Sequence, residues 1–229
     1  MALVAGVDGC RGGWITALVE KVPAGASIRF QLFQRFEEVL ALSPTIIAID
    51  IPIGLLGTPQ AGGRECDRQA RKMLAPLRAS SVFSPLCRKF LNAKDFSDVQ
   101  GMSLQTFCIM PKIREVDGLM TPKLQNIVRE AHPELAFMSL VGYPIHFKKK
   151  KPQGREKRLQ ALESGGFVGI KQAIEKEIKM LRKEGVARDD LIDACVMAWV
   201  ALRIADGKAQ RVPTDPPLDS MGLRMEIWY

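Results

Sequence analysis

The amino-terminal part of the chain alternates short apolar runs with turn residues, a pattern that predicts β-strands. The runs cover residues 3–10, 14–19, 27–33 and 45–51. The first three are joined by short turns, which predicts an antiparallel meander. The run at 45–51 is almost uniformly apolar, as is typical of a parallel strand that is covered on both faces. We therefore expect it to lie beside the first strand.

Helically spaced apolar positions predict the layers that cover this sheet. Residues 34–42 have this spacing and are followed by Pro44, which ends the helix. Residues 188–203 are polar at first and then apolar nearly all round, which is typical of a helix packed centrally on a sheet. Residues 124–131 and 223–229 resume a strand pattern. The order of elements predicts an α/β fold with a mixed sheet flanked by helices.

The stretch from about 55 to 120 differs from the rest of the chain. It combines loops rich in glycine, proline and serine with a short basic helix. A further helix is expected over 96–110, and its continuation past Pro111 towards Val116 stays open. We interpret it as a helical and loop insertion over the edge of the sheet. With 229 residues, the whole chain (1–229) is expected to form a single domain that contains this insertion.

Cysteine usage and targeting signals indicate the compartment. Five cysteines are scattered without any C-x-x-C pair, which argues for reduced thiols and against a disulfide framework or a zinc site. The sequence lacks the pattern of a signal peptide. It also lacks an apolar run near the roughly 20 residues that span a bilayer. We expect a soluble, cytoplasmic protein that does not contact membranes.

The charge balance favours an anionic partner. The formal net charge is +8 and the pI is about 9.4, which suits nucleic acid or a phosphorylated small molecule. Many soluble proteins are equally basic, so an ordinary solvated surface stays open as the alternative.

Acidic residues at strand exits are the main candidates for chemistry. Asp8 lies in the first strand and Asp50 near the end of the run at 45–51. Glu134 lies where a strand leads into a short helix, and Asp190 and Asp193 share one face of the last long helix. A carboxylate in a central strand is costly to bury unless a cation or hydrogen-bond donors accept its charge. Ligand sites in open α/β sheets gather at such strand ends.

Each acid also has an ordinary interpretation, as a turn residue or as a favourable charge in a first helical turn. Together they form an oxygen-only set, which selects hard cations, Mg²⁺ or Mn²⁺. Two such ions roughly 4 Å apart can activate a water and stabilise the leaving oxygen in phosphodiester cleavage. We expect all five acids, Glu134 included, to be catalytic residues and four of them to be metal ligands. The expected ligands are Asp8, Asp50, Asp190 and Asp193.

Seven short motifs follow one another along residues 4–203. They are VDGCRGGW (7–14), IDIPIGL (49–55), RECD (64–67), SSVFSP (80–85), EAHPE (130–134), KPQGR (151–155) and DDLIDA (189–194). In this order they resemble a bacterial and archaeal family of unknown function, whose members are described as predicted nucleases with a ribonuclease H-like fold. The resemblance implies a five-stranded mixed sheet.

Within the ribonuclease H-like superfamily, the pattern is most similar to the Holliday-junction resolvase branch. That branch carries an acid on strand one, matching Asp8, and another on the fourth strand, which Asp50 supplies. Its last helix carries an Asp-x-x-Asp-Ala pair, matching Asp190 and Asp193. The motifs and the family's loop also imply six substrate contacts, which are Arg11, Arg64, Arg78, Ser81, Lys151 and Arg155. Of these, Arg11 or Arg64 would steer a phosphate.

The sequence therefore predicts a Mg²⁺- or Mn²⁺-dependent nuclease or phosphodiesterase. A nucleotide-phosphate-binding protein related to the actin-like kinases shares the meander and the Gly-rich turn. It would need a duplicated fold with a second phosphate loop, and 229 residues hold no second copy. A non-catalytic nucleic-acid-binding scaffold is the third possibility. The sequence leaves open DNA, RNA or a small phosphoester as the substrate, and also whether the chain forms a homodimer.

Overall fold

A five-stranded mixed sheet forms the centre of the protein. The computed structural model describes residues 3–22, 25–85, 87–99 and 104–229. The strands are β1 (Leu3–Cys10), β2 (Gly13–Val22), β3 (Gly25–Phe33), β4 (Ile46–Ile49) and β5 (Val128–Glu130), and their spatial order is β3-β2-β1-β4-β5. β1, β2 and β3 are antiparallel, whereas β4 is parallel to β1 and β5 is parallel to β4. This topology confirms the predicted ribonuclease H-like α/β fold.

Helices cover both faces of the sheet, and a small second sheet lies near its β5 edge. The helices are α1 (Phe36–Ala41), α2 (Glu65–Leu74), α3 (Leu104–Leu119), α4 (Pro133–Val141), α5 (Pro152–Ser164), α6 (Ile170–Leu181) and α7 (Arg188–Ala205). The second sheet pairs β6 (Arg211–Val212) with β7 (Ile227–Trp228). Among the described residues, none of the helices combines the length and apolarity that crossing a membrane requires.

The alternation of side chains along the strands builds two apolar layers. One face of the sheet packs against α4, α5, α6 and α7 and includes Ala48 of β4. The other face packs against α1 and α3 and includes Ile47 and Ile49. Because β4 is buried on both sides, its nearly uniform apolar sequence is accounted for.

Gly6 lets α7 lie directly on the central strand. A Cβ atom at Gly6 would lie 2.0 Å from the backbone nitrogen of Ala198 and 2.2 Å from the carbonyl oxygen of Ala194. No other residue type fits at this contact without moving the helix. The close approach brings the amino-terminal turns of α7 to the end of β1 that carries Asp8.

Three element predictions were wrong in extent, one of them the strand pattern at 223–229, of which only β7 (Ile227–Trp228) forms a strand. In place of a helix over 96–110, the structure has a 3₁₀ turn at Phe96–Asp98 and then α3, which continues through Pro111 to Leu119. Residues 100–103 lie outside the described residues. The strand predicted at 124–131 is shorter because Leu124–Asn126 forms a 3₁₀ turn, and β5 pairs only with the three residues Ile47 to Ile49.

We predict that Gly6→Ala lowers the free energy of unfolding by about 2–3 kcal/mol, because the methyl group must displace the α7 backbone. Urea unfolding measures the change. Gly118→Ala is the matched control, since a Cβ there meets nothing within 4 Å and alanine favours a helix interior. Equal stability of the Gly6→Ala protein and the wild type would contradict the close packing.

Candidate active site

Asp8 and Asp50 leave the sheet side by side. β1 and β4 are parallel, with Val7 opposite Ile49. The residues that follow them, Asp8 and Asp50, therefore lie at the same end of the sheet. The backbone N–H of Asp50 donates to the carbonyl of Val7 at 3.0 Å, which continues the ladder and fixes the pair. Asp8 is 8% exposed and Asp50 is half-buried.

α7 adds two more carboxylates to this end of the sheet. Asp193 is 1% exposed, and Asp190 lies three residues earlier on the same helix face. An oxygen of Asp190 accepts from the backbone N–H of Ala187 at 2.8 Å and so caps the helix. We refer to Asp8, Asp50, Asp190 and Asp193 as the carboxylate cluster.

Lys149 inserts a positive charge into the carboxylate cluster. Its Nζ donates to Oδ2 of Asp193 at 2.5 Å. Burial lowers the pKa of Lys149, but the charges of Asp193 and Asp8 raise it by more, so the pKa lies above its usual value. Lys149 is therefore a firmly protonated ammonium group.

The carboxylate cluster carries more negative charge than Lys149 offsets. Burial, and then the charges of Asp193 and Asp50, raise the pKa of Asp8 well above its usual value. Burial raises the pKa of Asp193 to about 7 in spite of its pairing with Lys149. Burial also raises the pKa values of Asp50 and Asp190. Protons or a divalent cation would relieve this repulsion.

The donor chemistry of the carboxylate cluster fits a hard divalent cation. Every candidate ligand is a carboxylate oxygen, and Oδ1 of Asp193 is buried without a hydrogen-bond partner in the described part of the chain. Across those same residues, however, no three His, Cys, Asp or Glu side chains converge into a complete cation cage. Lys149 already engages Oδ2 of Asp193, one of the oxygens that such a cage would use.

A cleft of about 370 Å³ opens beside the carboxylate cluster. Its walls carry both signs of charge and include Asp50, Arg78, Ser81, His132, Glu134 and the lysines at 148–150. Nε2 of His132 lies 3.2 Å from the carbonyl oxygen of Ser81, within hydrogen-bonding distance. A basic cleft next to acidic residues suits a phosphate group.

Glu134 lies in this cleft with both carboxylate oxygens engaged. They accept from Nη2 of Arg158 at 2.7 and 2.9 Å. Arg158 is 1% exposed, and its Nη1 also donates to the carbonyls of Phe147 and Gly154. The pair thus ties the segment that carries Lys149 to the start of α4.

The predicted substrate contacts separate into two groups. Arg78 and Ser81 line the cleft, and Arg78 also donates to the carbonyls of Ile145 and His146. Arg64 is 1% exposed, and its guanidinium donates to Asp67, to Glu130 and to two backbone carbonyls. These contacts use all the N–H groups of Arg64, which leaves none for a phosphate.

The remaining predicted contacts lie outside the cleft wall. Arg11 is exposed in the β1–β2 turn, and Lys151 is exposed at the start of α5, where its carbonyl accepts from the backbone N–H of Arg155. The residue that the sequence analysis missed is Lys149. The lysine run at 148–151 was its signal, but spacing alone does not show which lysine turns inward.

Comparisons with known proteins identify a family. A family model described as "Protein of unknown function (DUF429)" matches residues 6–218, which confirms the resemblance drawn from the seven motifs. No curated protein matches the sequence. A solved structure described as "Thermus thermophilus RuvC structure" is 13% identical, with 90% of this chain and 97% of that chain covered and a TM-score of 0.37. A likeness at this level supports no inference about activity.

We predict that the metal-free protein becomes less stable as the pH rises from about 4 to about 7. A carboxyl group whose pKa is higher in the folded than in the unfolded protein binds its proton more tightly when folded. Its protonation therefore stabilises the folded state fully below the pKa of the unfolded protein, and this stabilisation is lost as the pH rises to the pKa of the folded protein. At pH 8, Asp8→Asn should therefore be more stable than the wild type by about 1 kcal/mol or more. Urea unfolding in a chelator measures this difference.

Asp215→Asn, at an exposed position, is the charge-matched control and should change stability by less than about 0.5 kcal/mol. The gain of Asp8→Asn should vanish near pH 4. A loss of stability at pH 8 in Asp8→Asn would show that the Asp8 carboxylate is stabilising rather than repelled.

Proposed function

We propose that this chain, which belongs to the DUF429 family of proteins of unknown function, is a divalent-metal-dependent hydrolase of phosphodiester bonds in nucleic acid. One observation carries the proposal. Asp8, Asp50 and Asp193 come from two adjacent strand ends and one helix, and they meet beside a basic cleft with more negative charge than Lys149 offsets.

Asp8, Asp50 and Asp193 would hold Mg²⁺ or Mn²⁺, with Asp190 at the edge of the set. When bound, the metal supplies an activated water and stabilisation of the leaving oxygen. The residues of the chain do the positioning. Lysines 148 and 150 and Arg78 attract and orient the phosphodiester, and the Glu134–Arg158 pair holds the lysine segment in place.

Four further residues complete the predicted substrate path. Ser81 lines the cleft, where its hydroxyl donates to the carbonyl of Arg78 at 2.7 Å and so helps to fix this wall, and Arg11, Lys151 and Arg155 offer charge outside the cleft. We omit Arg64 from the substrate contacts because its donors are engaged by Glu130 and Asp67. We also propose a cytoplasmic location, since all five cysteines are free thiols. We further propose that the chain is a single domain built around the five-stranded sheet.

A non-catalytic nucleic-acid-binding scaffold is the second candidate, and one observation favours it. Lys149 already pairs with Asp193, and the described residues hold no complete cation cage. Such a protein would bind nucleic acid in the cleft without needing a metal. Cleavage and metal-binding assays on one preparation separate the two candidates.

We predict that Asp8→Asn lowers Mn²⁺-dependent cleavage of nucleic acid by about a hundredfold or more, because the central carboxylate ligand is lost. Labelled single-stranded and duplex DNA and RNA are the substrates. Asp215→Asn, processed in parallel, should keep full activity. Undiminished cleavage by purified Asp8→Asn would end the nuclease proposal, and absence of cleavage by the wild type on every substrate would favour the scaffold.

We predict that Lys149→Met binds Mn²⁺ about tenfold more tightly than the wild type, because a competing positive charge leaves Asp193. Isothermal titration calorimetry of the folded protein measures this affinity without reference to activity. Lys148→Met, at an exposed neighbouring position, is the control. Weaker Mn²⁺ binding in Lys149→Met would mean instead that the lysine holds the carboxylates in place for the metal.

A further inference from the structure

A second cleft lies at the β5 edge of the sheet and shares no lining residue with the cleft beside the carboxylate cluster. Its volume is about 760 Å³. Three arginines from separate segments line it: Arg129 on β5, Arg211 on β6 and Arg224 shortly before β7. The chemistry described so far does not use any of them.

The three guanidinium groups converge on a single carboxylate. Glu226 is 1% exposed, and it accepts from Nη1 of Arg211 at 2.7 Å, Nη1 of Arg129 at 3.2 Å and Nε of Arg224 at 3.3 Å. Three positive charges thus face one negative charge. Even with a terminal carboxylate at Tyr229 counted, the guanidinium groups outnumber the carboxylates.

Holding Glu226 does not require three arginines. One guanidinium can pair with a carboxylate through two parallel hydrogen bonds, as Arg64 does with Glu130 elsewhere in this protein. Each further guanidinium adds repulsion. Burial, together with the nearby charges of Arg224 and Arg211, lowers the pKa of Arg129, although Glu226 opposes this change. A second anion in the cleft would relieve the repulsion.

Unused donors and a fixed geometry also favour the binding of an anion in this cleft. Within the residues that the structure describes, Nε of Arg129 and Nε1 of Trp228 are buried and have no hydrogen-bond partner. The guanidinium groups of Arg129 and Arg211 lie 5.2 and 5.5 Å from the Trp228 ring, which holds both in place. The donors are therefore ordered before any ligand arrives.

We propose that this cleft binds a phosphate group, supplied either by a nucleic-acid backbone or by a small phosphorylated molecule. Rigid, partly buried guanidinium groups match the oxygen geometry of phosphate through paired hydrogen bonds. Trp228 positions the arginines, so the cleft recognises charge rather than a base. The proposal does not depend on catalysis at the carboxylate cluster.

Calorimetric titration of the full chain with inorganic phosphate tests the site. Arg211→Gln should weaken binding about tenfold, because a charge-assisted hydrogen bond is lost. Arg211 is partly exposed and its loss leaves Glu226 two partners, so the variant should fold. Arg29→Gln removes one exposed charge at the opposite, β3 edge and should leave binding unchanged. Equal weakening in both variants would overturn the proposal.

Glu226→Gln gives a result of the opposite sign. If the arginines form a phosphate site, removal of the competing carboxylate should tighten phosphate binding about tenfold and let phosphate raise the melting temperature more than in the wild type. If the arginines serve only to neutralise Glu226, the variant loses stability and added phosphate does not restore it. That outcome would also overturn the proposal.

Two larger probes identify the source of the phosphate. A nucleoside 5′-monophosphate that binds more tightly than inorganic phosphate, and less tightly in Arg211→Gln, indicates a small ligand. A single-stranded oligonucleotide that loses affinity in Arg211→Gln indicates a backbone contact. Response to inorganic phosphate alone would mean an adventitious ion only and would reject the site. Cleavage assays on Asp8→Asn are independent of these titrations, so failure here leaves the proposed nuclease untouched.

Discussion

The contact between the backbone of α7 and Gly6 of β1 is the constraint on which the rest of the structure depends. Only a residue without a side chain permits this distance. The contact fixes the height of α7 over the sheet and places Asp193 beside Asp8. The parallel register of β1 and β4 adds Asp50. Two backbone contacts thus assemble the carboxylate cluster: the packing of α7 on Gly6 and the pairing of β1 with β4.

The buried acids of this protein fall into two groups according to whether a guanidinium compensates their charge. Glu130 and Asp67 share Arg64, and Glu134 has Arg158, so each of these carboxylates has a guanidinium partner. The carboxylate cluster lacks such matching, since Lys149 pairs with Asp193 alone. The second cleft, at the β5 edge of the sheet, shows the reverse imbalance, with three guanidinium groups around Glu226. Uncompensated charge of either sign is costly to bury, and a ligand of opposite charge removes that cost.

Sequence patterns predicted the sheet well because its signals are local. The meander, the apolar β4 and the central α7 follow from periodicity, and the acids at the strand ends follow from their position after apolar runs. The motif residue Arg64 showed the limit of this approach. A conspicuous arginine is equally suited to phosphate and to a buried carboxylate, and its partner Glu130 lies far away in the sequence.

By itself, the sequence determined the fold class and which carboxylates lie at the carboxyl ends of central strands, because hydrophobic periodicity and chain order specify both. The tertiary structure decided which cations meet those acids. Lys149 rather than Lys151 reaches Asp193, and Arg129, Arg211 and Arg224 gather around Glu226. Long side chains from distant segments meet only after the chain is packed, and local sequence carries no signal of which of them will share a buried charge.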